Sequence, residues 1–199
     1  MKRYFKNKKL LERNNIYSKD MEHDACGVGL VASTEGKKSR KVVEYGIQAL
    51  KAVWHRGAVD ADGKTGDGAG IHVEIPKEFF KEKIEVTGHV YDNSEICIGM
   101  IFLPRNNYEA QESCRTLVEK ELTQNDFNIY GWRQVPVNTK VLGEKAEQTR
   151  PEITQVLFRH NNQKLSGKSL EIKLYETRRK IENNVRQNHL DNFYICSFS

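Results

Sequence analysis

The sequence predicts a mixed fold of α-helices and β-strands, organised as one domain or as one domain with a tail. Two patterns carry this prediction: apolar residues recur at helical spacing in three segments, and short apolar or alternating runs bounded by Gly and Pro lie between them. The chain has 199 residues, 38% of them hydrophobic and 30% charged, which suits a chain with a buried core rather than a disordered one.

The first elements follow a basic leader. Residues 26–32 are a short run of small and apolar residues that predicts a buried strand, with a polar turn at 33–38. The next segment predicts a helix over 39–54, with Ser39 as its N-cap and Gly57 in a left-handed C-terminal cap.

The later elements are predicted from the same two periodicities. Residues 61–70 are too rich in glycine for a regular element and predict a loop, after which the alternating Ile71, Val73 and Ile75 predict a strand that ends at Pro76. Leu170, Leu174, Ile181 and Val185 share one helical face. The other strands are predicted at 96–103, 127–137, 153–158 and from 193 onward, and the other helices at 108–122 and 170–185.

Positive charge is concentrated at the start of the chain. The formal charge is +5, and residues 1–19 hold seven Lys or Arg residues against the single acid Glu12. Such a block is typical of a solvated tail, whereas a basic face spread over a folded domain would indicate nucleic-acid binding. The leader lacks the apolar core of a secretion signal, and no segment approaches the roughly 18 apolar residues of a membrane helix.

The four cysteines lie far apart and form no Cys-x-x-Cys pair, so the sequence predicts neither a metal site nor a disulfide framework. Reduced thiols suit a cytoplasmic protein. Cys26 alone would be read as a buried structural thiol, because free cysteine is among the most buried residue types. Its surroundings favour a catalytic role, since polar residues precede it abruptly and Gly27 and Gly29 allow a substrate to approach the backbone.

Three motifs connect the chain to a known family. Cys26-Gly-Val-Gly29, His55-Arg-Gly-Ala58 and Thr65-Gly-Asp-Gly-Ala-Gly70 occur in an order and spacing that resemble the class II glutamine amidotransferases, the last in the form seen in glutamate synthase large subunits. This resemblance implies an α+β fold of the N-terminal-nucleophile hydrolase type, a four-layer αββα sandwich with two antiparallel sheets. The family's glutaminase domain is about twice as long, so residues 26–199 are expected to be its amino-terminal portion, incomplete at the carboxyl-terminal side, with 1–25 as a propeptide or disordered leader.

The resemblance also implies the site residues. Cys26 is the expected nucleophile, and Arg56, Gly57, Gly27, Asp67 and Gly68 are the expected residues of the substrate pocket. Two alternatives stay open at this point: Arg56 and Gly57 also suit a helix end whose cation favours the helix dipole, and Asp67 with its glycines also suits an ordinary tight turn.

Function and partners follow from the same resemblance. The family releases ammonia from L-glutamine for the synthesis of glutamate from 2-oxoglutarate, and the expected partners are L-glutamine, the remainder of the large subunit and a small subunit, with no nucleic acid and no membrane. No cofactor is expected in this chain, whereas FMN and an iron–sulfur cluster are expected in the complete large subunit. The alternatives are an inactive remnant acting as a binding or assembly module, and a basic-tailed nucleic-acid adaptor.

We predict that residues 26–199 alone hydrolyse glutamine poorly, even with Cys26 freed. The family's Asn-Gly donors of the oxyanion hole have no counterpart in this sequence, and each such donor is worth roughly 100- to 1,000-fold in rate. Glutamate release from glutamine by the purified segment, with and without the downstream half of the domain supplied in trans, measures the deficit. Strong turnover by the short chain alone would contradict this prediction.

Overall fold

The structure is a computed structural model, and it describes residues 6, 7, 9, 10, 27–54 and 57–199. These residues belong to two compact units, one of residues 1–59 and 66–73 and one of residues 60–65 and 74–199. In the predicted leader, residues 6, 7, 9 and 10 are helical and exposed, and its other residues lie outside the described part of the chain.

The first unit contains helix α1, Arg40–Ala52, which confirms the predicted helix. Ser39 is its N-cap, as predicted, and its side chain accepts a hydrogen bond from the backbone nitrogen of Lys41 at 3.2 Å. The predicted left-handed cap at Gly57 is wrong. The helix ends at Ala52 with Val53 as its C-cap, and Gly57 instead closes a separate turn by donating to the carbonyl oxygen of Trp54 at 3.0 Å.

Two predicted strands, at 26–32 and 71–75, are wrong over the residues that the structure describes, 27–32 and 71–75, and Cys26 lies outside the described residues. Residues 27–32 and 71–75 have no regular structure, and Val28 and Leu30 are more than nine-tenths exposed. A strand is stabilised by hydrogen bonds to a neighbouring strand, and neither segment pairs with another strand of the described residues. The apolar run at 27–32 and the alternation at 71–75 indicate residues that can form strands, but a strand also requires a neighbouring strand to pair with.

The second unit is built around four strands. In chain order they are β1 Cys97–Leu103, β2 Phe127–Gln134, β3 Glu152–His160 and β4 Tyr194–Phe198. The helices are α2 Lys77–Val86, α3 Tyr108–Gln124, α4 Glu144–Thr149 and α5 Gly167–Gln187, with a 3-10 turn at Thr139–Val141. All four predicted strands of this region and both predicted helices are present, whereas α2 and α4 were not predicted.

The strands form one antiparallel sheet in the order β2-β3-β1-β4. This arrangement confirms the α+β class and the antiparallel pairing implied by the family resemblance. Every strand of the described residues longer than an isolated bridge belongs to this sheet, so the second sheet of the sandwich is not among them.

The sheet has a core on each face. Helices α3 and α5 cover one face, where the predicted α5 positions Leu170, Leu174, Ile181 and Val185 are all buried. Helix α2 covers part of the other face through Phe80 and Ile84, which pack against Ile98, Tyr130 and Leu157.

Helix α2 was not predicted, because a proline that follows alternating apolar residues indicates the end of a strand. In the structure Pro76 is the N-cap of α2, a position where a proline's missing N–H costs no helical hydrogen bond.

Among the described residues, no helix is both long enough and apolar enough to cross a membrane.

We predict that Gly99→Ala destabilises the sheet. A Cβ atom at Gly99 would lie 2.8 Å from the Phe198 ring and 2.8 Å from Val156 Cγ1, closer than packed carbon atoms allow. Overpacking of this kind costs about 1–3 kcal/mol of unfolding free energy, measurable from the denaturant midpoint. The loss should be smaller in a Phe198→Leu background, and an equal loss in both backgrounds would contradict the predicted crowding.

Candidate functional site

A short hairpin brings two of the three sequence motifs together. The backbone nitrogen of Ala58 donates to Asp67 Oδ2 at 2.9 Å, and the backbone nitrogen of Asp67 donates to the carbonyl oxygen of Ala58 at 3.4 Å. Between them, Val59 and Gly66 form an isolated antiparallel bridge. We call residues 58, 59, 66 and 67 the hairpin stem.

The stem explains why an aspartate suits position 67. Its carboxylate accepts a hydrogen bond from a backbone N–H that the single bridge leaves unpaired, and charged acceptors make stronger bonds than neutral ones. The side chain is exposed, so solvent screening weakens the contact. Asp67 thus holds the residue that directly follows Gly57, which fits the alternative interpretation of a turn-forming aspartate.

The predicted site residues are only partly brought together. Asp67 binds the backbone nitrogen of Ala58, which directly follows Gly57 in the sequence. Gly68 is exposed with open space around its Cα, and Gly27 is exposed in the irregular segment 27–32. Cys26 and Arg56 lie outside the described residues.

Sequence reasoning missed the groups that hold this hairpin. The partner of the Asp67 carboxylate is the backbone N–H of Ala58, and a pattern of side chains in the sequence does not reveal a backbone partner. The hairpin tip, residues 60–65, is fastened by Asp62 and lies against Gly143, which follows it by about 80 positions. A motif search by residue type has no signal for either contact.

Two of the four cysteines are unsuited to nucleophilic chemistry. Cys97 on β1 and Cys114 on α3 are buried. Burial raises the pKa of the Cys97 thiol to about 12 and that of the Cys114 thiol to about 11. Both therefore stay protonated at neutral pH, and the thiol is a far weaker nucleophile than the thiolate. Cys196 on β4 is exposed.

The described residues offer no metal site. Nowhere in 27–54 or 57–199 do three His, Cys, Asp or Glu side chains come together in a way that could hold a metal ion. The three described cysteines are separate free thiols. These residues therefore do not fit an iron–sulfur cluster, which requires several thiolates around one centre.

Comparison with known proteins adds independent information. The family model of the class-II glutamine amidotransferases matches residues 26–199. The chain is 54% identical over 185 residues to the glutamate synthase (NADPH) large chain of Azospirillum brasilense, covering 93% of this chain and 12% of that protein. It is 36% identical over 195 residues to the ferredoxin-dependent glutamate synthase of Pyropia yezoensis, covering 96% and 12%.

A third relative is the glutamate synthase (NADPH) large chain of Bacillus subtilis, 34% identical over 188 residues and covering 92% of this chain. The chain spans about 12% of the length of each of these three relatives.

We predict that Asp67→Ala loosens the stem, whereas Asp67→Asn largely keeps it. Alanine removes the acceptor for the Ala58 N–H, while asparagine retains an uncharged acceptor of the same shape. A net hydrogen bond is worth about 0.5–1.5 kcal/mol, so exchange of the Ala58 amide proton should accelerate roughly 2- to 12-fold in Asp67→Ala. Residue-resolved hydrogen exchange measures this, and unchanged exchange at Ala58 would show that the side chain does not hold the stem.

Proposed function

The chain belongs to the class II glutamine amidotransferases, and from this premise we propose that it is the amino-terminal glutaminase part of a glutamate synthase large subunit. The observation that carries the proposal is that the family match spans residues 26–199 and so begins at Cys26. The similarity to glutamate synthase large chains from several organisms supports the choice among amidotransferases.

Cys26 becomes the nucleophile when residues 1–25 are removed. Cleavage of the Ala25-Cys26 bond frees an α-amino group with a reference pKa of about 7.7–8.0, next to a thiol with a reference pKa of about 8.5. The free amine can accept the thiol proton, whereas the amide nitrogen of the uncleaved chain is not basic. One residue thereby supplies both nucleophile and base.

The reaction then proceeds through a covalent intermediate. The thiolate attacks the side-chain amide carbon of L-glutamine and forms a C–S bond, and the carbonyl oxygen becomes an oxyanion. Collapse of this tetrahedral species breaks the C–N bond, and the proton held by the α-amino group leaves with the nitrogen as ammonia. Water then hydrolyses the glutamyl thioester to glutamate and restores the thiol.

The hairpin stem supplies the frame of the substrate pocket. Arg56 and Gly57 lie next to the nucleophile in this proposal, and Gly27, Asp67 and Gly68 complete the pocket wall. The hydrogen bond from the Ala58 nitrogen to Asp67 Oδ2, 2.9 Å long, supports it, because it holds the chain directly after Arg56 and Gly57.

The released ammonia serves the synthesis of glutamate from 2-oxoglutarate in other parts of the large subunit. FMN and an iron–sulfur cluster belong to those other parts of the large subunit in this proposal. A small subunit is the further partner, and the cytoplasm is the expected compartment.

We predict that Cys26→Ala in the intact synthase abolishes glutamine-dependent glutamate formation and leaves ammonia-dependent formation in place. Cys26→Ser should be far less active than the wild type, because a hydroxyl is a much weaker nucleophile at neutral pH. Steady-state rates with glutamine and with ammonia measure both effects, and intact mass determines whether the mature chain starts at Cys26.

Cys196→Ala is the matched control, because Cys196 is exposed and its replacement should leave both rates near those of the wild type. Undiminished glutamine hydrolysis in Cys26→Ala would remove Cys26 from its role. Loss of both activities in that variant would indicate a structural thiol instead.

A further inference from the structure

The sequence contains two Asp-Gly peptide bonds, Asp62-Gly63 and Asp67-Gly68, and no Asn-Gly bond. At such a bond an aspartate can react with its own backbone, because glycine has no Cβ to hinder its nitrogen. The glycine nitrogen attacks Cγ of the aspartate, a C–N bond forms, and water leaves to give a cyclic imide. Water then opens the ring at either carbonyl, which returns aspartate or leaves isoaspartate, whose main chain runs through the side-chain carbons.

Two conditions govern the closure of this ring. The carboxyl must carry a proton so that its oxygen can leave as water, and the glycine nitrogen must be free to lose its own proton and approach Cγ. Hydrogen bonds that favour the charged carboxylate, or that engage the glycine N–H, therefore slow the reaction. The two Asp-Gly bonds differ in both respects.

The Asp62-Gly63 bond is protected within the hairpin tip. Asp62 Oδ1 accepts from the backbone nitrogens of Lys64 and Thr65 at 2.9 and 2.7 Å, and Asp62 Oδ2 accepts from Thr65 Oγ1 at 2.5 Å. The hydrogen bond from the Thr65 side chain, followed by those from the two backbone nitrogens, holds the pKa of the Asp62 carboxyl below its usual range. The Gly63 nitrogen is engaged as well, because it donates to the Asp60 carbonyl oxygen at 2.9 Å.

The Asp67-Gly68 bond lacks these restraints. Asp67 Oδ2 accepts one hydrogen bond, from the Ala58 nitrogen at 2.9 Å, and neither Asp67 Oδ1 nor the Gly68 nitrogen has a partner among the residues that the structure describes. Asp67 and Gly68 are both exposed and lie outside any helix or longer strand. A Cβ atom added at Gly68 would meet nothing within 4 Å, so neighbouring atoms do not crowd this glycine.

We propose that Asp67-Gly68 is a site of spontaneous isoaspartate formation, and that Asp62-Gly63 is its protected counterpart. Isoaspartate adds one carbon to the main chain and leaves its carboxylate on Cα, so the acceptor that the Ala58 N–H uses is displaced. The hairpin stem thereby loses its side-chain contact as the protein ages. The inference does not depend on the glutaminase proposal, because it uses only the contacts of the two carboxylates and the two glycine nitrogens.

The test is to age the intact protein at neutral pH and physiological temperature and to quantify isoaspartate at each bond. Trypsin separates the two bonds, since cleavage after Lys64 leaves Asp62 in one peptide and Asp67 in the next. Chromatography with electron-transfer fragmentation distinguishes isoaspartate from aspartate in each peptide. A net hydrogen bond changes a rate by roughly 2- to 12-fold, so the additional bonds around Asp62-Gly63 should make isoaspartate at least about tenfold more abundant at Asp67.

Protein aged in denaturant gives the intrinsic reactivity of the two bonds. Unfolding removes both hydrogen-bonded arrangements, so the two bonds should then form isoaspartate at similar rates. A large ratio in the folded protein alone would attribute the difference to the structure. Equal amounts at both bonds of the folded protein, or more at Asp62, would overturn the inference.

Gly68→Ala tests the reacting bond. Its methyl group hinders the attacking nitrogen and should reduce isoaspartate at Asp67 to a small fraction of the wild-type amount, while no neighbouring atom opposes the added Cβ. Gly70→Ala is the matched control, because Gly70 is equally open but follows Ala69, and it should leave the amount unchanged. Wild-type amounts of isoaspartate in Gly68→Ala would contradict the assignment of this bond.

A second pair of variants tests the protection of Asp62. Thr65→Val removes the Oγ1 donor and should increase isoaspartate at Asp62 roughly 2- to 12-fold, whereas Thr65→Ser keeps that donor and should not. An unchanged amount at Asp62 in Thr65→Val would show that these hydrogen bonds do not protect it. Exchange of the Ala58 amide proton should be faster in aged than in fresh protein, and equal exchange would overturn the effect on the stem.

Discussion

The pairing of β1 with β3 is the constraint on which the second unit depends. These two central strands align from Cys97 opposite Phe158 to Leu103 opposite Glu152. Because successive side chains point to opposite faces, this register sends Ile101 and Val156 toward α3 and α5, and sends Ile98 and Leu157 toward α2. A shift by one residue would exchange the two sets, so both cores depend on one alignment.

The sheet also determines where the hairpin tip is held. Arg105, just beyond β1, fixes α4 through Glu147, and α4 receives the tip at Gly143. Hydrogen bonds from Arg150 and then Arg105 lower the pKa of Glu147. A lowered folded-state pKa means that this contribution to stability is present above the unfolded-state pKa and is lost as the pH falls through the folded-state value. Acidification should therefore weaken the attachment of α4 to Arg105.

The proposed chemistry requires little from side chains other than Cys26. In this proposal the nucleophile and the base reside on that single residue, whereas Asp67 accepts a hydrogen bond from a backbone N–H. Backbone contacts of this kind need small neighbours and close approach, which suits the glycines of the three motifs. The buried thiols Cys97 and Cys114, with raised pKa values, do not compete for this role.

The sequence by itself determined the family, through its three motifs. It also determined the helices α1, α3 and α5 and the four strands, because the spacing of apolar residues along the chain sets which side chains can be buried together. Only the tertiary structure decided that 27–32 and 71–75 remain unpaired, that α2 starts at Pro76, and that Gly143 must lack a Cβ. Each of these depends on what lies opposite a segment in space. A strand partner or a packed loop contributed from distant positions leaves no trace in the local pattern.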